Sequence, residues 1–187
     1  DLPVTRKEGL HAAIVGWGKC LPPAVLTNAD LATFLETDDE WIASRTGMRE
    51  RRISHVPLGE VIHVAAARAL ACAGMEAAEL DLIIVGSTLG DELAPNVASG
   101  TQKRLKARNA AAMDVNTACT SFLYGLTTAS SMIKAGVVKN ALVIGGELIS
   151  PMIAATLSRS ISRSALVDAV CGFTLSSAMS STLRPMM

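Results

Sequence analysis

Asp114-Val115-Asn116-Thr117-Ala118-Cys119-Thr120-Ser121-Phe122-Leu123-Tyr124-Gly125-Leu126 changes its periodicity halfway along. The residues leading into it, from Ala110 to Val115, form a short apolar run of strand length. From Phe122 to Ala135, apolar residues recur at helical spacing until Gly136. Small polar residues turn the chain between the two. The pattern predicts strand, tight turn and helix, with Cys119 at or just before the helix start. A thiol placed there faces backbone N–H groups that the helix leaves unpaired and the positive end of its dipole, surroundings that suit a nucleophilic thiolate. The same N–H groups can polarise a bound thioester carbonyl, so the position suits acyl transfer. On spacing alone, a buried structural cysteine is the commoner use of such a site.

Outward from this unit, strands and helices alternate. His11 to Gly18 reads as a first buried strand that breaks on glycines and Pro22-Pro23. Thr27 or Asn28 caps a helix running through Ala29, Leu31, Ala32 and Leu35. A second helix starts near Thr37-Asp38-Asp39, whose acidic first turn complements the helix dipole; it carries Trp41, Ile42 and Arg45 and ends at Gly47. Val61 to Cys72 is an Ala-rich helix closed by Gly74. Leu80 to Val85 is a strand without alternation, as expected when both faces are covered. Pro95 to Leu105 reads as a helix with proline in its first turn, and Ala141 to Ile144 as a further strand. This alternation predicts an α/β fold with a mixed, largely parallel sheet and helices on both faces. After Pro151 the pattern lapses: Met152 to Met187 contains no lysine and no glutamate and is rich in serine and methionine. Residues 1–150 are therefore expected to form the folded unit. Residues 151–187 are expected to be a loosely ordered tail, with one poor strand around Leu166-Val167 and Ala169-Val170.

Composition narrows the function classes. Lysine plus arginine and aspartate plus glutamate both number 17, so no net charge draws the chain to nucleic acid or an anionic membrane. Arg49, Arg51 and Arg52 are expected to form a solvated or ion-paired face. Cys20, Cys72, Cys119 and Cys171 lie far apart, and with three histidines they give no metal spacing. Single, scattered cysteines point to a reducing compartment, hence the cytoplasm. No apolar run approaches a membrane span, and no secretory leader is visible. No GxGxxG or GxxxxGK[ST] follows a strand, which leaves a nucleotide-binding domain poorly supported.

The Cys119 segment resembles the active-site motif of β-ketoacyl-acyl-carrier-protein synthase III, the thiolase-like condensing enzyme that initiates fatty-acid synthesis. The resemblance recurs, in order, at Leu26-Thr27-Asn28-Ala29-Asp30-Leu31, Thr37-Asp38-Asp39-Glu40-Trp41-Ile42 and Arg45-Thr46-Gly47-Met48-Arg49-Glu50-Arg51. Beyond these come Leu82-Ile83-Ile84-Val85-Gly86-Ser87-Thr88 and Ala141-Leu142-Val143-Ile144-Gly145-Gly146-Glu147. It covers about His11 to Ser150, the N-terminal half of such an enzyme. The resemblance implies a homodimer of a five-layer αβαβα fold and a ping-pong reaction. Cys119 takes an acyl group from acyl-CoA, and malonyl-acyl-carrier protein then decarboxylates and attacks the thioester. No permanently bound cofactor is implied, since acyl-CoA is a substrate. Thr37, Trp41 and Arg45 match the residues that grip the CoA adenine; without the resemblance, a core tryptophan and an exposed arginine would be preferred. Ala94 falls where the family carries a bulky aromatic at the partner's acyl pocket, so a longer or branched acyl group is expected to fit.

The sequence also departs from this family. A histidine, an asparagine and a glycine-rich oxyanion segment belong to the family's second half. His11, His55 and His63 all precede Cys119 and match none of these positions. A truncated or frame-shifted coding sequence fits this pattern, as does a short protein that has lost condensation. In either case the isolated chain is expected to expose apolar surface, to be poorly soluble or oligomeric, and to condense weakly or not at all. The alternatives are a non-catalytic partner subunit of a complete synthase and an acyl-transfer enzyme that never decarboxylates.

Overall fold

A computed structural model describes residues 10–149 and 169–179. Its main sheet contains β1 (Leu10–Cys20), β4 (Leu82–Gly86), β5 (Ala111–Val115), β6 (Asn140–Glu147) and β7 (Ala169–Met179), in the order β1-β7-β6-β4-β5. A separate antiparallel pair is formed by β2 (Ala24–Thr27) and β3 (Glu50–Ile53). The helices are α1 (Asn28–Ala32), α2 (Asp39–Thr46), α3 (Leu58–Ala73), α4 (Val97–Leu105) and α5 (Ser121–Lys134).

The mixed sheet expected from the alternation is present, and its parallel part is β6-β4-β5. The pairings of β7 with β1 and with β6 are both antiparallel. Thus part of the stretch assigned to a loose tail forms an eleven-residue strand inside the sheet, with Gly172 opposite both Gly18 and Ile144. Sequence reading missed its extent because period-two alternation is weak there. Its neighbours on both sides supply the ladder that local pattern does not. The start of the strand expected at Leu166-Val167 lies outside the described residues.

Both faces of β4 and β6 are covered, which explains their unbroken apolar sequences. Ile83, Val85, Leu142 and Ile144 face α3 and α4, packing with Val61, Ile62, Ala65, Ala66, Ala69 and Ala98. Leu82, Ile84, Ala141 and Val143 face α5, against Ala129 and Ile133. Small alanines on α3 bring its axis close to the sheet. Each large aliphatic chain so buried contributes about 1.5–3 kcal/mol of transfer free energy.

Local signals set the boundaries. Thr27 and Asp30 form a reciprocal capping box on α1, which ends at Ala32, short of the expected Leu35. Asp38 caps α2, and Gly47 closes it at φ 73°. The N-cap of α4 is Asn96, whose Oδ1 accepts from Ser99 N–H at 2.9 Å, so Pro95 lies outside the helix. The basic cluster divides. Arg49 pairs with Asp39 at 2.8 Å and Arg52 approaches Glu50 at 3.7 Å, both near solvent. Arg51, in contrast, is only 3% exposed, which corrects the expectation of a uniformly solvated face. Its Nη1 donates to Leu26 O at 3.3 Å, Nε and Nη2 are buried without hydrogen-bond partners, and burial lowers its pKa. The ladder explains this: strand alternation turns Arg51 to the face opposite Glu50 and Arg52.

Candidate active site

The three parallel strands end on one edge of the sheet, where Gly86, Val115 and Gly145 lie side by side in register. Open α/β sheets build their sites outside such carboxyl ends. Here β5 runs into the turn carrying Cys119. Residues Ala118–Thr120 form one turn of 3-10 helix, and α5 follows directly.

The turn is held in a costly conformation. Ala118 has φ 51°, a left-handed geometry worth about 1–2 kcal/mol of strain for a residue with a Cβ. Ser121, only 3% exposed, compensates. Its Oγ accepts from Thr117 N–H at 2.8 Å and donates to Ala118 O at 2.7 Å. Thr120 Oγ1 donates to Thr117 O at 2.7 Å, and Thr120 N–H reaches the same oxygen at 3.3 Å. These bonds lock the chain on either side of Cys119, whose side chain is exposed at the apex. The cysteine is neither buried nor remote from a helix start.

Two glycines seat this turn on the sheet. A Cβ on Gly86 would lie 2.8 Å from Phe122 N and from Ser121 C; one on Gly145 would lie 3.0 Å from Phe122 Cβ. Only residues without side chains let the first turn of α5 approach β4 and β6 so closely. Carboxylates and an amide then tie the surrounding loops together. Glu147 Oε1 accepts from Thr88 N–H, and Asn116 Nδ2 donates to Thr88 O at 3.2 Å. Asp114 takes the N–H groups of Val97 and Ala98 at 2.9 and 2.8 Å. Sequence reading singled out none of these three for such a role, because their partners lie 16 to 59 residues away.

The other group of expected residues lies on α2 and just before it. The Arg45 guanidinium stacks over the Trp41 ring at 4.4 Å, and its Nη1 lies 3.4 Å from Trp41 O. Trp41 is half-buried and Arg45 exposed, so the pair presents a partly solvated aromatic-cation surface. Asp38 orients it by accepting from Trp41 N–H at 2.7 Å. Thr37 is half-buried, and its hydroxyl is buried without a hydrogen-bond partner. Ala94 is exposed on the segment joining β4 to α4. His11 and His55 are exposed, and His63 lies partly buried on α3 with Nδ1 unpartnered. Among the described residues, no group of three or more histidine, cysteine or carboxylate side chains is arranged to hold a metal, and no helix is long and apolar enough to cross a membrane.

Known proteins agree with this picture. The family described as 3-oxoacyl-[acyl-carrier-protein] synthase III matches residues 113–181, a stretch that begins in β5 and includes the cysteine turn and β7. The chain is 56% identical over 140 residues to β-ketoacyl-[acyl-carrier-protein] synthase III 2 of Vibrio cholerae, covering 75% of this chain and 39% of that protein. It is 45% identical over 143 residues to the β-ketoacyl-[acyl-carrier-protein] synthase III of Geobacillus kaustophilus, covering 75% and 46%. The fold is similar to the crystal structure of the Aquifex aeolicus 3-oxoacyl-[acyl-carrier-protein] synthase III, with a TM-score of 0.80 at 36% identity over 88% of this chain and 53% of that one. A priming β-ketosynthase from the R1128 polyketide pathway superposes at a TM-score of 0.82 with 26% identity, covering 94% and 53%. The chain thus spans about half the length of the relatives it matches, or less. Motifs, sequence identity and fold together match this chain to about half the length of β-ketoacyl-[acyl-carrier-protein] synthase III proteins, with their thiolase-like fold.

Proposed function

We propose that this chain carries the acyl-accepting centre of a ketoacyl synthase III, with Cys119 as the nucleophile. The observation behind this reading is the exposed thiol on the Ser121-locked turn, at the head of α5 and on the carboxyl edge of the parallel strands. In the first half-reaction the Cys119 thiolate attacks the thioester carbonyl of acyl-CoA. The bond from the carbonyl carbon to the CoA sulfur breaks, and CoA leaves as a thiolate that takes up the proton Cys119 released. N–H groups at the start of α5 stabilise the oxyanion, as preorganised donors do in acyl transfer. Trp41 stacks on the CoA adenine, with Arg45 beside it as cation and hydrogen-bond donor. Thr37 supports that turn. In the second half-reaction malonyl-acyl-carrier protein loses carbon dioxide, and its carbanion displaces Cys119. That step calls on a histidine and an asparagine that the family carries beyond the motifs present here. Residues 1–150 supply acylation, Ala169–Met179 adds β7 to the same sheet, and condensation belongs to a cytoplasmic homodimer.

A second reading, a non-catalytic partner subunit, is favoured by exposed apolar side chains. Ile14 and Trp17 on β1 are each 56% exposed, and Leu123 and Tyr124 on α5 are 60% and 58% exposed. Mass spectrometry of the chain after incubation with acetyl-CoA and longer acyl-CoAs separates the readings. Acyl transfer requires an adduct on Cys119 that disappears in Cys119→Ser and needs about tenfold more CoA ester in Trp41→Ala. A longer acyl group should be accepted at least as well as acetyl if Ala94 opens the pocket. Ketoacyl product on adding malonyl-carrier protein would instead rule out transfer without decarboxylation. A Cys119 that alkylates readily yet never acylates would refute the proposal in favour of the partner subunit.

A further inference from the structure

The peptide after β4, Ser87-Thr88, leaves the sheet between the ends of β6 and β5, because β4 lies between those two strands. Ser87 N–H still bonds to Val115 O at 3.2 Å, one step past the ladder. At Thr88 side chains take over from both sides. Glu147, at the end of β6, accepts the Thr88 N–H on Oε1, and Asn116, just past β5, donates from Nδ2 to the Thr88 carbonyl at 3.2 Å. Asn116 adjoins Thr117, whose N–H bonds to Ser121 Oγ and whose carbonyl accepts from Thr120 Oγ1 in the locked turn. An unbroken series of bonds therefore runs from Glu147 through Thr88 and Asn116 into the turn that carries Cys119.

Two further observations set Glu147 apart from an ordinary loop tie. It is half-buried, and its Oε2 is buried without a hydrogen-bond partner. An oxygen left so costs free energy, although an ionised carboxylate is the stronger acceptor for the single N–H it does hold. The next part of the segment is secured separately: Asp91 accepts from Leu58 N–H and Gly59 N–H on α3, each at 2.7 Å. Loss of Glu147 would thus loosen Thr88 and what it holds, not the whole segment.

We infer that Glu147 is a positioning residue for Cys119. By fixing Thr88 it holds Asn116, and through Asn116 the turn that directs the thiol and the N–H groups at the head of α5 toward one carbonyl. This rests on the acyl-transfer reading above and adds a residue outside the cysteine turn that acts on the reaction.

Two reagents that need no CoA site separate positioning from simple access to the thiol. The thiolate attacks p-nitrophenyl acetate at its carbonyl, passes through an oxyanion and releases p-nitrophenolate. It attacks iodoacetamide at a saturated carbon and displaces iodide, with no oxyanion. Mass spectrometry follows both at Cys119, with exposed Cys72 on α3 as a control in the same molecule. In Glu147→Ala the ratio of acetylation to alkylation rates at Cys119 should fall about tenfold, while the ratio at Cys72 stays constant. Asn116→Ala should show a similar fall, and the double variant little more than either alone, because both act on one turn. Glu147→Gln keeps an acceptor for Thr88 N–H and should recover most of the loss. Asn116→Ala removes an exposed side chain, so it decides the matter if Glu147→Ala fails to fold. An unchanged Cys119 ratio in Asn116→Ala would overturn the inference, as would a loss in Glu147→Ala that Glu147→Gln does not recover. The expected fall in a chain that takes no acyl group from acetyl-CoA would support the positioning role and count against the acyl-CoA reading alone.

Discussion

Replacing Gly86 with alanine tests how the cysteine turn is seated. The added Cβ would lie 2.8 Å from Phe122 N and Ser121 C and 3.0 Å from Ser121 Cβ, where ordinary contact begins at 3.4 Å. The shortfall is about 0.6 Å. Two of the three atoms are backbone, so rotating a side chain cannot relieve the overlap; α5 or β4 must shift. Overpacking of this kind costs about 1–3 kcal/mol. The displacement also falls two or three residues from Cys119, where an error approaching 1 Å in reactive geometry lowers rates by up to about 100-fold. Gly100→Ala is the matched control. Nothing lies within 4 Å of its added Cβ, and it sits inside α4, so it should stabilise by about 0.5–1 kcal/mol. Urea unfolding gives the stabilities, and acyl-CoA labelling of Cys119 gives the rates. If Gly86→Ala unfolds within about 0.5 kcal/mol of wild type and labels at the same rate, α5 is not held by that close approach and the account of the turn fails.

Two further outcomes follow from α1 and the β2–β3 pair. Bonds from the Thr27 hydroxyl and then the Thr27 N–H hold the Asp30 carboxyl below its ordinary 3.8. A depressed acid stabilises the fold above its unfolded value and loses that contribution as pH falls through the folded one. Asp30→Ala should therefore unfold more easily than wild type at pH 7, with the gap closing below about pH 3.8; a gap constant with pH in urea titrations would show that the carboxylate charge is not involved. Arg51→Met replaces a buried guanidinium with Nε and Nη2 unpartnered by an apolar chain of similar length. Such exchanges are neutral or stabilising by about 1–4 kcal/mol, whereas a loss beyond about 3 kcal/mol would mean that the charge has a strong partner.

Much of the fold was legible locally. Continuous aliphatic runs at Leu82 to Val85 and Ala141 to Ile144 announced strands covered on both faces, and Gly47, Gly74 and Gly136 marked helix ends at positive φ. The strand–turn–helix around Cys119 was readable for the same reason: its period changes within a few residues. The pair β2–β3 was not, because each strand has four residues and β3 reads Glu-Arg-Arg-Ile, a charged segment without an apolar face. Nor was the length of β7, whose pairing lies in neighbours distant along the chain.

For the candidate site, sequence alone determined the residue types and their order: a small-residue turn around one cysteine, and a tryptophan and arginine spaced one helical turn apart. Only the tertiary structure decided that Ala118 adopts a left-handed conformation locked by Ser121, that Gly86 and Gly145 admit the head of α5, and that Asp91 and Asp114 cap helices begun elsewhere. The physical reason is range. Helix and strand periods arise from neighbours a few residues apart, whereas close backbone approach and long-range carboxylate caps exist only once distant segments meet.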